Sequence, residues 1–341
     1  MIKYELDLSA ITPLSRMQIE HLVHLAGKFS SRILLEHRNR TINGKSMLGL
    51  LSMGATGHEP VMLLVEGEDE EIAAQEMKKL LDAGVTPPKD SVNADVLVHQ
   101  LKHVFANILQ DNLVGIYLHG SLAAGCFQWE LSDIDFLVVV KEPLTVEKKI
   151  AVVEALYALR EDAPPAGFEM SVLLEKDCRE MAYPMPYDLH YSPKWTEEYE
   201  KDARGFCERM HGVDPDLTTH ILTVHAFGAV IHGPSAVRIF GKVKREDALA
   251  AIQDDLGQVG EELHNNPVYY VLTLCRALAY YREGKVLSKK TGGEWALKNL
   301  PHAYQSVIQA ALNAYQTGTD MFYDEGLAED FCYDAVEELF R

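Results

Sequence analysis

Leu118-His119-Gly120-Ser121, eleven further residues, and then Asp133-Ile134-Asp135-Phe136-Leu137-Val138-Val139: this stretch decides how the chain is read. The run 134–140 is almost wholly apolar, as a strand buried on both faces must be. Asp133 and Asp135 stand two residues apart at its start, so both carboxylates leave the same face. There they can share a hard divalent cation, which prefers oxygen ligands and keeps room for phosphates and water. Upstream, 114–118 reads as a second strand. The Gly120-Ser121 turn behind it lets backbone N–H groups approach a phosphate, with the Ser121 hydroxyl as a further donor and Ser132 placed to act likewise. An Asp-x-Asp pair alone is weak evidence. Carboxylates that open a buried strand are different, because their desolvation demands a compensating partner.

Working outward, 94–110 has helical spacing, 146–159 reads as a helix and 168–174 as a third strand. From about residue 215 the pattern is helical, over 217–231, 246–263, 267–283, 293–299 and 303–315. Residues 1–83 alternate short strands (2–8, 32–36, 61–65) with helices (15–28, 46–53, 69–81). The segment 84–93 interrupts both patterns with Pro87, Pro88 and several turn formers. These readings predict a first domain over 1–84, a linker over 85–93, an α/β catalytic domain over 94–214 and a helical domain over 215–341.

Composition narrows the function. The 341 residues are 47% hydrophobic and 24% charged, which is ample for globular cores, and no apolar run reaches the roughly 18 residues of a membrane span. Five scattered cysteines form neither a CxxC pair nor a metal spacing, which suits a reducing compartment and predicts a cytoplasmic protein. Of the net charge of −19, residues 1–92 carry −3 (10 Lys and Arg against 13 Asp and Glu), which leaves −16 on residues 93–341. A nucleic-acid partner needs a concentrated basic face and is not expected, whereas a small cationic substrate is attracted.

The Gly-Ser turn followed by Asp-x-Asp resembles the nucleotidyltransferase superfamily. Residues 97–317 resemble, within it, the adenylyltransferases that modify streptomycin and spectinomycin. The resemblance is carried by His119-Gly-Ser121, Ser132-Asp-Ile-Asp135, Phe168-Glu-Met170, Tyr183-Pro184 with Trp195, Val271-Leu-Thr-Leu-Cys-Arg276, 284–289, 294–301 and Ala314-Tyr315. It implies AMP transfer from ATP to a hydroxyl, with Mg2+ on Asp133 and Asp135. Glu169 is implied as a third carboxylate beside the metal and as general base, because a sugar hydroxyl is a poor nucleophile without one. Lys289 and Tyr315 are implied on the nucleotide and Trp195 on the antibiotic, although a core tryptophan is an equal account of Trp195. Arg276 also matches, and a helix–helix salt bridge explains it equally well. Asn266 stands where the family has an aspartate that helps accept streptomycin. His119, His190, His220 and His225 have no metal spacing and read as ordinary packed or polar histidines. Two other readings stay open: adenylylation of an endogenous metabolite or protein, and a nucleotide sensor without turnover, for which a base such as Glu169 has no use.

Residues 1–83 resemble HPr, the sugar-phosphotransferase phosphocarrier, through Leu25-Ala-Gly-Lys-Phe29, 43–54 and Leu64-Val-Glu-Gly-Glu-Asp69. The resemblance implies an open-faced α+β sandwich. Ser15 stands where the family carries its phosphorylated histidine, so phosphocarrier chemistry is not expected. Ser46 matches the position that a regulatory kinase modifies in the family; a plain helix N-cap is the competing account. A binding or regulatory module, with a partner protein or kinase, is the implied role. The expected whole is therefore an HPr-like sandwich, a nucleotidyltransferase α/β domain and a C-terminal helical bundle.

Overall fold

The computed structural model describes residues 2–6, 16–27, 29–37, 40–46, 49–50, 61–67, 69–82 and 89–340. They form two compact units, 1–93 and 94–341. In the first unit, β1 (Ile2–Leu6), β2 (Arg32–His37), β3 (Arg40–Asn43) and β4 (Val61–Glu66) make an antiparallel sheet in the order β1-β4-β2-β3. Alternation decides its buried face. Leu6, Ile33, Leu35, Val61, Leu63 and Val65 point to one side, where Ile19, Leu22 and Ala26 of helix Arg16–Gly27 and Ala73, Ala74, Met77 and Leu81 of helix Glu70–Asp82 close the core. The result is the expected α+β sandwich. The short strand β3 carries one buried residue, Ile42, and had no pattern from which to read it.

The strands of the second unit are β5 (Leu113–Leu118), β6 (Ile134–Val140), β7 (Phe168–Leu174), β8 (Met185–Tyr187), β9 (Leu189–Tyr191), β10 (Gly212–Asp214) and β11 (Ala229–His232). Five of them make a sheet in the order β11-β5-β6-β7-β9, in which only β6 and β7 run parallel, while β8 and β10 form a separate two-stranded ribbon. Period two divides the central strands between two cores. Ile116, Ile134, Phe136, Val138, Met170 and Val172 face one layer, with Phe105 of helix Lys89–Leu109 and Val152 and Leu156 of helix Val146–Leu159. Tyr117, Leu137, Val139 and Leu173 face the other, where Leu217, Ile221 and Val224 of helix Asp216–Phe227 pack on them. Each such side chain, fully withdrawn from water, contributes about 1.5–3 kcal/mol. The third core lies among helices Pro267–Glu283, Lys289–Asn299, Gln305–Thr317 and Glu325–Leu339.

Several boundaries differ from expectation. Residues 89–93, read as linker, open the helix Lys89–Leu109; polar residues that break a helix interior are favourable in its first turn, where N–H groups lack partners. Residues 229–231, read as the end of a helix, lie in β11. There Gly228 leaves the helix so close to Val224 that an added Cβ would stand 2.7 Å from the Val224 Cα. Because β11 pairs with β5, the α/β layer runs past residue 214. The expected helix 246–263 is two, Arg245–Asp255 and Val259–Glu262, parted by a turn in which Gly257 N–H donates to the Asp254 carbonyl. Among the described residues no helix is long and apolar enough to cross a membrane.

Candidate functional site

Parallel pairing of β6 with β7 sets Asp135 directly opposite Glu169. Asp133, two residues before Asp135, shares their face, and one carboxylate oxygen from each of the three lies within 4.8 Å of the others. This is the face on which helix Asp216–Phe227 packs. The Gly120-Ser121 turn is drawn in by the His119 N–H, which donates to the Asp135 carbonyl at 3.0 Å. Gly120 sits at φ +62°, and a Cβ there would fall 1.7 Å from Asp135 Oδ2. No larger residue fits. Ser121 Oγ is buried and has no partner among the described residues, an orphan that a phosphate oxygen would satisfy. Ser132 Oγ accepts from the Gln128 N–H at 3.1 Å, which leaves its own proton free to donate.

These groups line one cavity of about 340 Å³. Its far wall is helical. Lys289 opens helix Lys289–Asn299 behind a capping box of Ser288 and Thr291. Tyr315, on helix Gln305–Thr317, lies 3.9 Å from Cys126 Sγ through its hydroxyl, and its carbonyl accepts from Gln128 Nε2 at 2.8 Å. Arg276 reaches the same cavity and lies 3.9 Å from Asp255, so it is at once a cavity residue and half of a helix–helix ion pair.

The wall also contains residues to which the sequence assigned no role in the site, among them His220, read as an ordinary packed or polar histidine. Helix Asp216–Phe227 turns Asp216, Thr219, His220, Thr223 and Phe227 toward the cavity, while Leu217, Ile221 and Val224 hold the sheet. The i, i+3, i+4, i+7 spacing of the four polar ones was visible, but a polar stripe beside an apolar one usually means a solvated face. His220 Nε2 stands 3.1 Å from Asp216 Oδ2, and its ring lies 4.6 Å from that of His119. His190 bonds Ser171 and His225 the Gly241 carbonyl, as ordinary packed histidines do.

Electrostatics follow from these contacts. Burial pushes the Asp135 carboxyl up to about 8, and the Asp133 and Glu169 charges add to the effect. Burial also raises Asp133 and Glu169. Burial alone would discharge His220; the Asp216 carboxylate outweighs it and holds the imidazolium up to about 10. His119 is kept neutral by burial and by the His220 charge beside it. Burial, and then Arg276, bring Lys289 down to about 8 against the pull of Asp255, Asp133 and Asp135. Three crowded carboxylates whose charges oppose one another are a donor set that fits a divalent cation with oxygen preference.

Trp195 does not line this cavity. The turn Pro193–Trp195 packs its ring 6.2 Å from Phe206, in the α/β core, and its indole N–H has no partner among the described residues. Asn266 caps helix Pro267–Glu283, its Oδ1 accepting from the Tyr269 N–H at 3.4 Å. In the first unit Ser46 Oγ accepts from the Gly49 N–H at 3.1 Å, the geometry of a cap. Ser15 lies outside the described residues.

A Gly-Ser turn with an unpartnered buried hydroxyl facing crowded carboxylates suits a nucleotide phosphate, and residues 101–176 match the family model of the nucleotidyltransferase domain. The chain therefore carries a nucleotidyltransferase domain. Residues 238–337 match the C-terminal domain of aminoglycoside adenylyltransferase, and residues 18–83 match the PTS HPr component phosphorylation site, so an HPr-like region precedes regions similar to a nucleotidyltransferase domain and to that C-terminal domain. Among characterised relatives, spectinomycin 9-adenylyltransferase of Enterococcus faecalis is 22% identical over 64% of this chain and 86% of its own. The aminoglycoside (3'') (9) adenylyltransferase of Shigella flexneri is 27% identical over 67% and 88%. The crystal structure of the E. faecalis spectinomycin adenyltransferase with ATP and spectinomycin shares the fold, with a TM-score of 0.61 at 21% identity over 72% of this chain and 99% of that one.

Proposed function

We propose that this chain transfers AMP from ATP to a hydroxyl of an aminocyclitol or aminoglycoside, spectinomycin before streptomycin, and releases pyrophosphate. The observation that carries the reading is one cavity in which the Asp133–Asp135–Glu169 triad and the Gly120-Ser121 turn face Lys289 and Tyr315. Ser121, Ser132 and Lys289 hold the phosphates of ATP. Glu169, held by β7 in register with Asp135, accepts the proton of the acceptor hydroxyl. The hydroxyl oxygen then bonds to the α-phosphorus, the bond from that phosphorus to the bridging oxygen breaks, and pyrophosphate leaves with the electron pair. Mg2+ fits the triad, where its chemistry would be to offset negative charge on the transferring phosphate. The acidic balance of 93–341 draws cationic acceptors, and Asn266 as a neutral helix cap supports spectinomycin over streptomycin.

The purified chain, given ATP and Mg2+ with spectinomycin, streptomycin or a neutral sugar, should release pyrophosphate and add one AMP to spectinomycin by mass. Release with the neutral sugar alone would replace the cationic acceptor with an endogenous metabolite. ATP bound without turnover on any acceptor would favour a sensor.

For the first unit, we propose a regulatory module in the cytoplasm with Ser46 as its phosphorylation site. A phosphate on Ser46 would stand beside the Gly49 N–H, a ready donor once that N–H is released from the hydroxyl. Mass spectrometry of protein from its native host grown on a rapidly used sugar should find phosphate on Ser46. A fully unmodified Ser46 under those conditions would leave it as a cap.

A further inference from the structure

The Lys289 side chain is partly buried in the cavity wall, yet among the described residues its ammonium makes no hydrogen bond or ion pair. Its contact is an aromatic face: Nζ stands 4.2 Å from the centre of the Tyr269 ring. Tyr269 is itself fixed, its hydroxyl donating to Asp255 Oδ1 at 2.6 Å while Asp255 Oδ2 lies 3.9 Å from Arg276. Asp255 ends helix Arg245–Asp255, Tyr269 and Arg276 belong to Pro267–Glu283, and Lys289 starts Lys289–Asn299. Three helices therefore converge on one lysine head. We propose that Tyr269 is the positioning residue of the phosphate lysine, its ring carrying the Lys289 ammonium over the cavity while Asp255 clamps the ring.

The physical case lies in what an aromatic partner leaves untouched. A carboxylate at ion-pair distance would neutralise the ammonium and occupy its N–H donors, and would then compete with the nucleotide phosphate. The face of a ring attracts a cation through its quadrupole and takes none of the three N–H groups. Asp255 bonds to Tyr269 and pairs with Arg276, so this carboxylate holds the ring instead of the lysine. Burial, with Arg276 nearby, brings the Lys289 ammonium down to about 8, which makes a partner that favours the charged form useful near neutral pH. The capping box at Ser288 fixes the backbone of Lys289, and the ring fixes its far end. Such a side chain has little rotamer freedom left to lose when a phosphate arrives. Tyr269 had no motif to signal it. The only hint was its place three residues after the Asn266 cap, on the helix that also carries Arg276.

This inference rests on Lys289 as a phosphate ligand, and the experiment separates the two. Binding of a non-hydrolysable ATP analogue with Mg2+ is measured by calorimetry on the full chain. Tyr269→Phe should retain most of the affinity, while Tyr269→Leu should lose about ten- to thirtyfold, the range of a desolvated cation–π contact. In a Lys289→Met background, Tyr269→Leu should add almost nothing, as for two residues acting through one contact. Progressively fluorinated phenylalanines at 269 keep the shape of the ring while draining its negative face, so affinity should fall stepwise along the series. Equal affinity across that series, or a Tyr269→Leu loss that persists without Lys289, would overturn the role of Tyr269 while leaving the nucleotide site standing. No binding by the unaltered chain would overturn the nucleotide reading and this inference with it.

Discussion

The two walls of the cavity are built by opposite means. One is a strand face, where three carboxylates are set by the pleat and by a single parallel pairing, Asp135 against Glu169. The other is assembled from helices Asp216–Phe227, Pro267–Glu283 and Lys289–Asn299, each contributing one cationic side chain: His220, Arg276 and Lys289. On the sheet, charge is placed by hydrogen-bonded backbone, so neighbours are fixed whatever the side chains prefer. On the helices, every cation needs a second residue to aim it: Asp216 for His220, Asp255 for Arg276, and Tyr269 for Lys289. The acidic wall is rigid by register, the basic wall by partnership.

The sharpest way to break the comparison is to remove one carboxylate at a time. Asp135→Asn should lower AMP transfer by roughly a thousandfold or more, since cation-assisted charge stabilisation is worth several kcal/mol and each 1.36 kcal/mol is tenfold. Its melting temperature should not fall, because a buried, crowded charge has been removed. Glu169→Gln should cost about 10²–10⁴-fold in kcat while KM for ATP stays close to its original value, as loss of a base predicts. Equal losses of ATP binding in both variants would assign Glu169 to holding the nucleotide or metal alone.

The basic wall gives a smaller, pH-dependent effect. His220 is held up to about 10, above its ordinary 6.5. A raised pKa of this kind contributes stability that is full below about 6.5 and is lost as pH climbs through 10. The melting-temperature gap between the unaltered chain and His220→Gln should therefore narrow steadily from pH 6.5 to 10. A gap that is flat over this window would mean that Asp216 does not hold the charge.

The same contrast explains what could be read from the chain. Strands β6 and β7 announced themselves by apolar runs, and period two put Asp133, Asp135 and Glu169 on a face without any knowledge of the fold. Lys289 and Tyr315 carry no local signal; only the resemblance pointed to them, because a lysine after a serine is by itself a surface lysine. Asp216 drew no reading and His220, without metal spacing, read as an ordinary histidine; their helix shows both a polar and an apolar stripe, and sequence does not say that the polar stripe also faces protein. For Trp195 the resemblance implied an acceptor contact and a core tryptophan was the equal account; the ring stands 6.2 Å from that of Phe206, as the second account has it. Strand ends and the β11 edge were missed where three or four residues are too few to show a period.

The pairing of Asp135 with Glu169 also bears on how faithfully this chain reaches its fold. A one-residue slip between β6 and β7 would send Glu169 to the opposite side of the sheet, among Ile116, Ile134, Phe136 and Val138 of the neighbouring strands. No cation waits there, and an unpaired carboxylate in an aliphatic layer is among the most costly errors a sheet can make. The correct register is the one in which His220 and Lys289 meet the acidic face. Residues that look like a burden on stability thus act as a proofreading device, because a misaligned chain has nowhere to hide its charge.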